Sequence, residues 1–421
     1  MTAPVLDYII MQHAEEAAFL WSLRKRALVQ PHYRLEDLIK LDERIEAHLE
    51  GLLIAGEAGW AQCEVLLDDG GAGATFAAMV LALSVGHSER QEWVSARSIH
   101  VPEARAGLRS ALGWVSRRYL PEPKLLLAAP SPSLRWVGLS AAAVHRIDQG
   151  PGLAYAIDSA DPLLRTSALR AAGEQGRCDL LPYCQRHLPA ADESCRFWAA
   201  WSAVLLGDRG HALAVLRTVG LSANPFQERA LQLALQAMEF YQAQGLLKAL
   251  EQNPASIRPL IHSVGFAGNP AWVPWLIEKM RMPVLARLAG ESFTRICGAA
   301  IVGNLGTSPP QDCAAVLPPP DDSAEQEPGL DPDENLPWPN ADKVADWWRE
   351  HRQSFQDGAR YFLGKPISVR QAQQILRDGS QPQRIAAALY LPLLQPGQPL
   401  FEWRMPAWRQ QRQLGKGNDS R

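Results

Sequence analysis

DPLLRTSALRAAGEQG, residues 161–176, decides the fold of this chain. Asp161-Pro162 opens a helix: a short acidic side chain satisfies free first-turn amides, and proline is tolerated there because its missing N–H would be unpaired anyway. Arg165 follows, then Ala168 and Ala172 on one face, and Gly173 and Gly176 end the helix. The same phrase returns along the chain. Arg105, Arg135, Arg165, Arg196, Arg229, Arg258 and Arg287 stand 30, 30, 31, 33, 29 and 29 residues apart. Most sit just behind a start signal: Pro102, Ser131-Pro132, Asp161-Pro162, Asp192, Asn224-Pro225, Asn253-Pro254 and Pro283. A fixed period of this length marks stacked helical repeats.

Small residues keep the same offsets. Gly138, Ala168 and Ala199 stand three after the arginine, and Ala142, Ala172 and Ala203 stand seven after. Gly207 and Gly210, and later Gly265 and Gly268, repeat the glycine turn. A second apolar helix follows each turn, as in 179–188, 211–219 and 272–280. No unit alternates in the manner of a strand, so the fold class is all-α: a HEAT-like α-solenoid of stacked helix pairs. Each ladder arginine is expected to bond the Asp, Ser or Asn cap of its own or the next repeat, and so to rivet the repeat.

Outside this rhythm the chain divides further. Residues 1–100 read as N-terminal helices and a divergent first repeat whose turn is Gly70-Gly71-Ala72-Gly73; Leu35, Leu38, Leu41, Ile45, Leu49 and Leu52 share one helical face. Repeats fill 101–306. Residues 307–340 form an acidic, Pro-rich insertion. The stretch 307–342 holds nine Pro and nine acidic residues with no Lys or Arg; it carries −9 of a chain whose net charge is −3, so the remainder carries +6. Such a stretch cannot bury enough apolar surface to fold alone. Residues 341–409 read as a helical cap, with Arg384, Ala387 and Leu391 at the repeat offsets, and 410–421 as a disordered tail.

A second row trails the first. Arg186, Arg217, Lys248 and Lys279 are each 31 residues apart; Tyr155 and Lys124 stand one and two periods earlier. In stacked pairs such positions line up as a basic stripe for an acidic partner or for the insertion folded back in cis. The competing view is that cations at helix C-termini complement the macrodipole. Trp338, in Leu336-Pro337-Trp338-Pro339, has no core of its own and is expected to dock on the solenoid. The candidate partner-binding residues are therefore Tyr155, Arg186, Arg217, Lys248 and Lys279, with Asp331, Asp333, Glu334 and Trp338.

Chemistry-bearing motifs are weak. Cys178, Cys184, His187 and Cys195 lack a zinc spacing. His13-Ala14-Glu15 matches H-x-E, but no P-C-x-x-C follows, so an ordinary helix face is expected. Asp331-x-Asp333-x-Asn335 lacks the glycine of a calcium loop. No catalytic residue, metal or cofactor is expected. The N-terminus has no basic run ahead of its apolar residues and no stretch of eighteen apolar residues occurs, so no signal peptide or membrane span is expected. Six cysteines in 421 residues are too few for a disulfide scaffold. A cytoplasmic protein follows, without direct nucleic-acid binding.

Residues 161–176 resemble the short HEAT-type repeats known from phycobilisome lyases. HAEEAAFLW (13–21), LDERIEAHLEGL (41–52), CRFWAAWSAVLLGDRG (195–210) and LDPDENLPWP (330–339) resemble a bacterial HEAT-repeat family encoded near type VI secretion genes and PAAR-tipped effectors. The resemblance implies a cytoplasmic protein that binds a secreted effector or toxin domain: an immunity protein neutralising a PAAR-type toxin such as a nuclease, or alternatively an effector-loading adaptor. It carries no catalytic residues. A lyase-like enzyme, of the tetrapyrrole-binding kind, is the competing class, and no acid/base cluster recommends it.

Overall fold

A computed structural model describes residues 7–68, 70–309 and 331–415. The chain divides into two compact units, 1–208 with 373–421, and 209–372. Both are built from packed helices, and among the described residues the one sheet is a two-stranded ribbon. No described helix is long and apolar enough to cross a membrane.

The first unit begins with α1 (Asp7–Ala27), α2 (Leu35–Ile54) and α3 (Glu57–Asp68). The leucine face predicted for α2 is its buried face. Next come α4 (Ala72–Val85), α5 (Ser88–Ser98) and α6 (Pro102–Trp114). α4 is buried continuously from Gly73 to Leu83, as a helix apolar all round must be. The repeat pairs follow as α7 (Pro123–Leu127) with α8 (Pro132–His145), α9 (Gly152–Ile157) with α10 (Pro162–Glu174), and α11 (Leu181–Arg186) with α12 (Glu193–Leu205). The long helices α4, α6, α8, α10 and α12 stack in sequence, and each short helix packs on the long helix after it.

The second unit repeats this plan. α13 (His211–Gly220) packs on α14 (Gln227–Ala237), α15 (Phe240–Glu251) on α16 (Ile257–Ala267), and α17 (Val273–Met280) on α18 (Pro283–Cys297). The long helices α14, α16 and α18 again stack in order. α19 (Ala341–His351) packs on α17. β1 (Tyr361–Phe362) and β2 (Lys365–Pro366) pair antiparallel, Tyr361 with Pro366 and Phe362 with Lys365. The unit boundary falls inside α20 (Val369–Asp378). The first unit then resumes with α21 (Gln381–Leu394), packed on α12, and α22 (Ala407–Gly415), packed on α2.

Local chemistry explains the repeat. Asp161 accepts from the amides of Leu163 and Leu164, and Asp192 from that of Cys195, so both act as N-caps. The small residues at the two offsets are all buried. Gly173 and Gly265 are helical, and a Cβ on either would press Ser202 or Ser292 of the next long helix. Those serines in turn donate to the Leu169 and Ile261 carbonyls.

Three expectations need correction. Three of the ladder arginines bond main-chain carbonyls rather than cap side chains. Arg135 donates to the carbonyls of Ala129 and Pro130, Arg165 to Ser159, and Arg196 to Ala190 and Ala191. A main-chain carbonyl is present whatever residue occupies the turn, so this rivet needs no cap side chain. Residues 341–409 are not one cap, because from Gln373 onward the chain belongs to the first unit. Nor is 410–415 a disordered tail. Gln410 is buried in α22, accepts from Arg384 Nη2 at 2.5 Å, and donates to the carbonyls of Trp403 and Met405. Residues 416–421, and 310–330 of the insertion, lie outside the described residues.

Candidate protein-binding surfaces

The second row falls on the short helices. Arg186, Arg217, Lys248 and Lys279 each occupy the last turn of α11, α13, α15 and α17, where a cation complements the helix dipole. Their surroundings differ. In the first unit, Arg186 lies 3.0 Å from Asp158 and over the Tyr183 ring at 4.5 Å. In the second, Lys279 lies over the Trp275 ring at 5.2 Å. Arg217 and Lys248 are exposed and form no ion pair with a described residue. Large side chains on short helices also face solvent: in the first unit Leu125 on α7 is 74 % exposed and Tyr155 on α9 77 %, and in the second Tyr241 on α15 is 85 % exposed.

The insertion's return leg is engaged in cis on the second unit. Arg258 Nη2 bonds the buried Asp333 carboxylate at 2.7 Å, and Arg287 bonds Asp331. The Arg287 guanidinium also lies 4.8 Å from the Trp338 ring centre. Two main-chain bonds close the neck, Thr307 N–H to Trp338 O and Asn340 N–H to Leu305 O. Burial pushes the Asp331 carboxyl up, but the Asp333 amide, Arg287 and Arg258 together hold it below its ordinary value. Asp331, Asp333 and Trp338 are therefore occupied by their own chain, and of the four named acidic-segment candidates Glu334 is exposed and forms no ion pair with a described residue. The last two ladder arginines are what hold them.

Sequence reasoning missed two features of the first unit. One is a buried charge cluster. Glu174, at the end of α10, is fully buried. Its carboxylate accepts from Arg170 Nε at 2.7 Å and Arg109 Nη2 at 2.8 Å, with Arg146 and Arg404 at 3.5 and 3.6 Å. Buried Glu402 pairs with Arg404 at 3.0 Å and Arg146 at 3.5 Å. Four guanidiniums thus surround two carboxylates. Burial pushes Glu174 up, yet Arg170, Arg109, Arg146 and Arg404 hold it well below the usual carboxylate range. The one local cue was the i,i+4 spacing of Arg170 and Glu174.

The other is the strap formed by residues 396–407. Leu400 N–H bonds Glu174 O, and Arg146 bonds Leu400 O. Arg24, itself paired with Asp42 at 2.5 Å, donates to the carbonyls of Arg404 and Met405, and Asp42 accepts the Ala407 amide at 2.7 Å. Arg409 donates to the carbonyls of Gly113 and Val115 at the end of α6. Beside α22 lies a cleft of about 590 Å³ lined by Glu46, Glu50, Trp114, Tyr119 and Trp408 among others. Burial, then the neighbouring Asp42, raises the Glu46 carboxyl, while a bond from Trp408 opposes the shift.

The cysteine group does not converge as a ligand set: Cys184 is buried with its thiol pushed up to about 12 by burial, and Cys195 Sγ lies 3.1 Å from Thr166 Oγ1 and 3.3 Å from Arg165 Nε. Set against known proteins, the chain matches no family model and no curated protein.

Proposed function

We propose that this is a protein-binding helical-repeat scaffold that holds and neutralises a secreted toxin domain through its short-helix faces. One observation carries the binding part: in the second unit Tyr241 stands in solvent on α15, the short helix that also carries Lys248, and neither Lys248 nor Arg217 of α13 forms an ion pair with a described residue. Exposed aromatic side chains beside free cations are the composition of interaction hot spots, since tyrosine offers a large contact area at low entropic cost. The toxin-neutralising part rests on the resemblance of four segments to the secretion-linked repeat family. Unpaired cations favour an acidic patch on the partner.

Co-expression tests both parts. The chain is expressed with the toxin domain encoded beside it, and growth and co-purification are scored. The wild type is expected to bind the toxin and restore growth. Tyr241→Ala with Arg217→Glu and Lys248→Glu is expected to lose both while keeping the wild-type melting temperature. Binding without restored growth overturns neutralisation in favour of loading. Absence of binding by the wild type overturns the proposal.

A further inference from the structure

His13 on α1 and His48 on α2 bring their Nδ1 atoms to 3.0 Å from each other. The rings meet edge to face, with centroids 5.1 Å apart and planes at 65°. Both side chains are half-buried, so the pair has an open side. Its setting is shaped for the rings. Gly51 lies inside α2, where glycine costs about 1 kcal/mol relative to alanine. A Cβ there would meet three His13 ring atoms at 2.8–2.9 Å. Glycine at 51 is what lets the imidazole lie across α2. Glu16 stands one turn along α1 from His13, and Arg44 one turn before His48 on α2.

The separation selects a geometry. Imidazole nitrogens bind d-block dications at about 2.0–2.1 Å, so two donors at a right angle stand about 2.9 Å apart and two at a tetrahedral angle about 3.3 Å. The observed 3.0 Å is close to the right angle, the arrangement of square-planar or octahedral ions. We propose that His13 and His48 form a two-imidazole site for such an ion, Cu(II) or Ni(II), whose other positions are taken by water or by a donor from a binding partner. No third His, Cys, Asp or Glu among the described residues completes the set. In the hydrogen-bonded pair one ring carries a proton on Nδ1; as the ion enters, that proton moves to Nε2 of the same ring and frees the second lone pair.

Calorimetric titration of the full chain with NiCl2 at pH 7.5 tests this. The wild type is expected to show one tight equivalent and to bind ZnCl2 more weakly. That equivalent is expected to vanish in His13→Ala/His48→Ala and to persist in His100→Ala, an exposed control. Gly51→Ala keeps both ligands and displaces the His13 ring, so it is expected to weaken binding about tenfold. Should the double variant lose helicity, the visible spectrum of the Cu(II)-loaded wild type provides a second measurement, with the band position of two nitrogen donors expected. A tight equivalent that survives the double variant, or its absence from the wild type, reduces the pair to a hydrogen bond and overturns the proposal.

Discussion

Replacing Glu174 with Gln removes one charge from the centre of the first unit and almost no volume. The amide keeps one acceptor oxygen but turns an NH2 group toward a guanidinium. Removing one partner from a buried ion pair costs about 3–5 kcal/mol, because the remaining charge is stranded away from water. Glu174 is fully buried, so solvent does not screen its interactions. Its partners are less confined: Arg109 and Arg146 are 16 % exposed, Arg170 19 % and Arg404 33 %, and they can turn partly toward water. That places the expected loss at the low end, about 3 kcal/mol. At about 2–4 °C per kcal/mol for a unit of this size, the melting temperature should fall by about 6–12 °C at pH 7. The pH dependence carries the sign. The folded carboxyl titrates below the unfolded one, so its contribution is complete above about pH 4.3 and is lost as pH falls through the lowered folded value. The gap between wild type and Glu174→Gln should therefore narrow on acidification below about pH 4. Thermal unfolding followed by circular dichroism at pH 7, 5 and 3.5 reads both effects. A gap below about 1 °C at pH 7 would refute the argument, as would one that stays constant with pH.

Asp42→Ala strands Arg24, buried at 1 % exposure, and frees the Ala407 amide, so a loss of about 3–5 kcal/mol in urea unfolding is expected, with early hydrogen exchange at Ala407. Gly298→Ala forces a side chain onto a backbone at φ 74° and sets its Cβ 2.6 Å from Leu363 O; the left-handed conformation alone costs about 1–2 kcal/mol, and exchange protection at Leu363 and Gly364 should fall. Asp333→Ala removes the buried half of a bridge whose arginine is 35 % exposed; it should cost about 1.5 kcal/mol and open 331–338 to limited proteolysis.

Much of the fold was legible because its signals are local. A cap, a proline in the first turn, small residues at fixed offsets and a glycine turn all act within about 16 residues, as in 161–176. The second row was also located correctly on the short helices, since 31-residue spacing carries position through the stack. What escaped depends on contacts far apart in the chain. Arg109, Glu174 and Glu402 meet only after folding, and a lone Glu in an alanine-rich helix resembles an exposed residue until its arginines arrive. Arg135, Arg165 and Arg196 bond carbonyls, which have no side-chain signature. Polar α22 looked unable to fold because its anchor, Gln410, is satisfied by Arg384 of another helix. His13 was read on its own helix face, while its neighbour His48 stands 35 residues on.

The C-terminal half of the chain bears on which surface is left for a partner. The last carbonyls of a helix lack intrahelical donors. In the second unit Arg360 donates to Gln236 O and Met238 O near the end of α14, Tyr361 N–H to Gly268 O beyond α16, and Leu363 and Gly364 to Arg295 O and Ile296 O of α18. In the first unit Arg409 serves the end of α6, and Leu400 serves that of α10. The glycines that follow these helices have a second use there. Gly176, at φ 67°, would press the Gly397 backbone if it carried a Cβ, and Gly268, at φ 66°, would press Tyr361. Within each unit, then, these long-helix ends are already covered by the chain's own later residues. Among the short helices of the second unit, α17 is covered by α19, while α13 and α15 are not covered by the Arg360–Gly364 contacts that serve the long-helix ends. Short helices carry Leu125 and Tyr155 into solvent in the first unit and Tyr241 in the second, where Arg217 and Lys248 form no ion pair with a described residue. A partner gains most by desolvating side chains that nothing else engages, so the short-helix faces, rather than the strapped ends, are where substitutions should separate binding from stability.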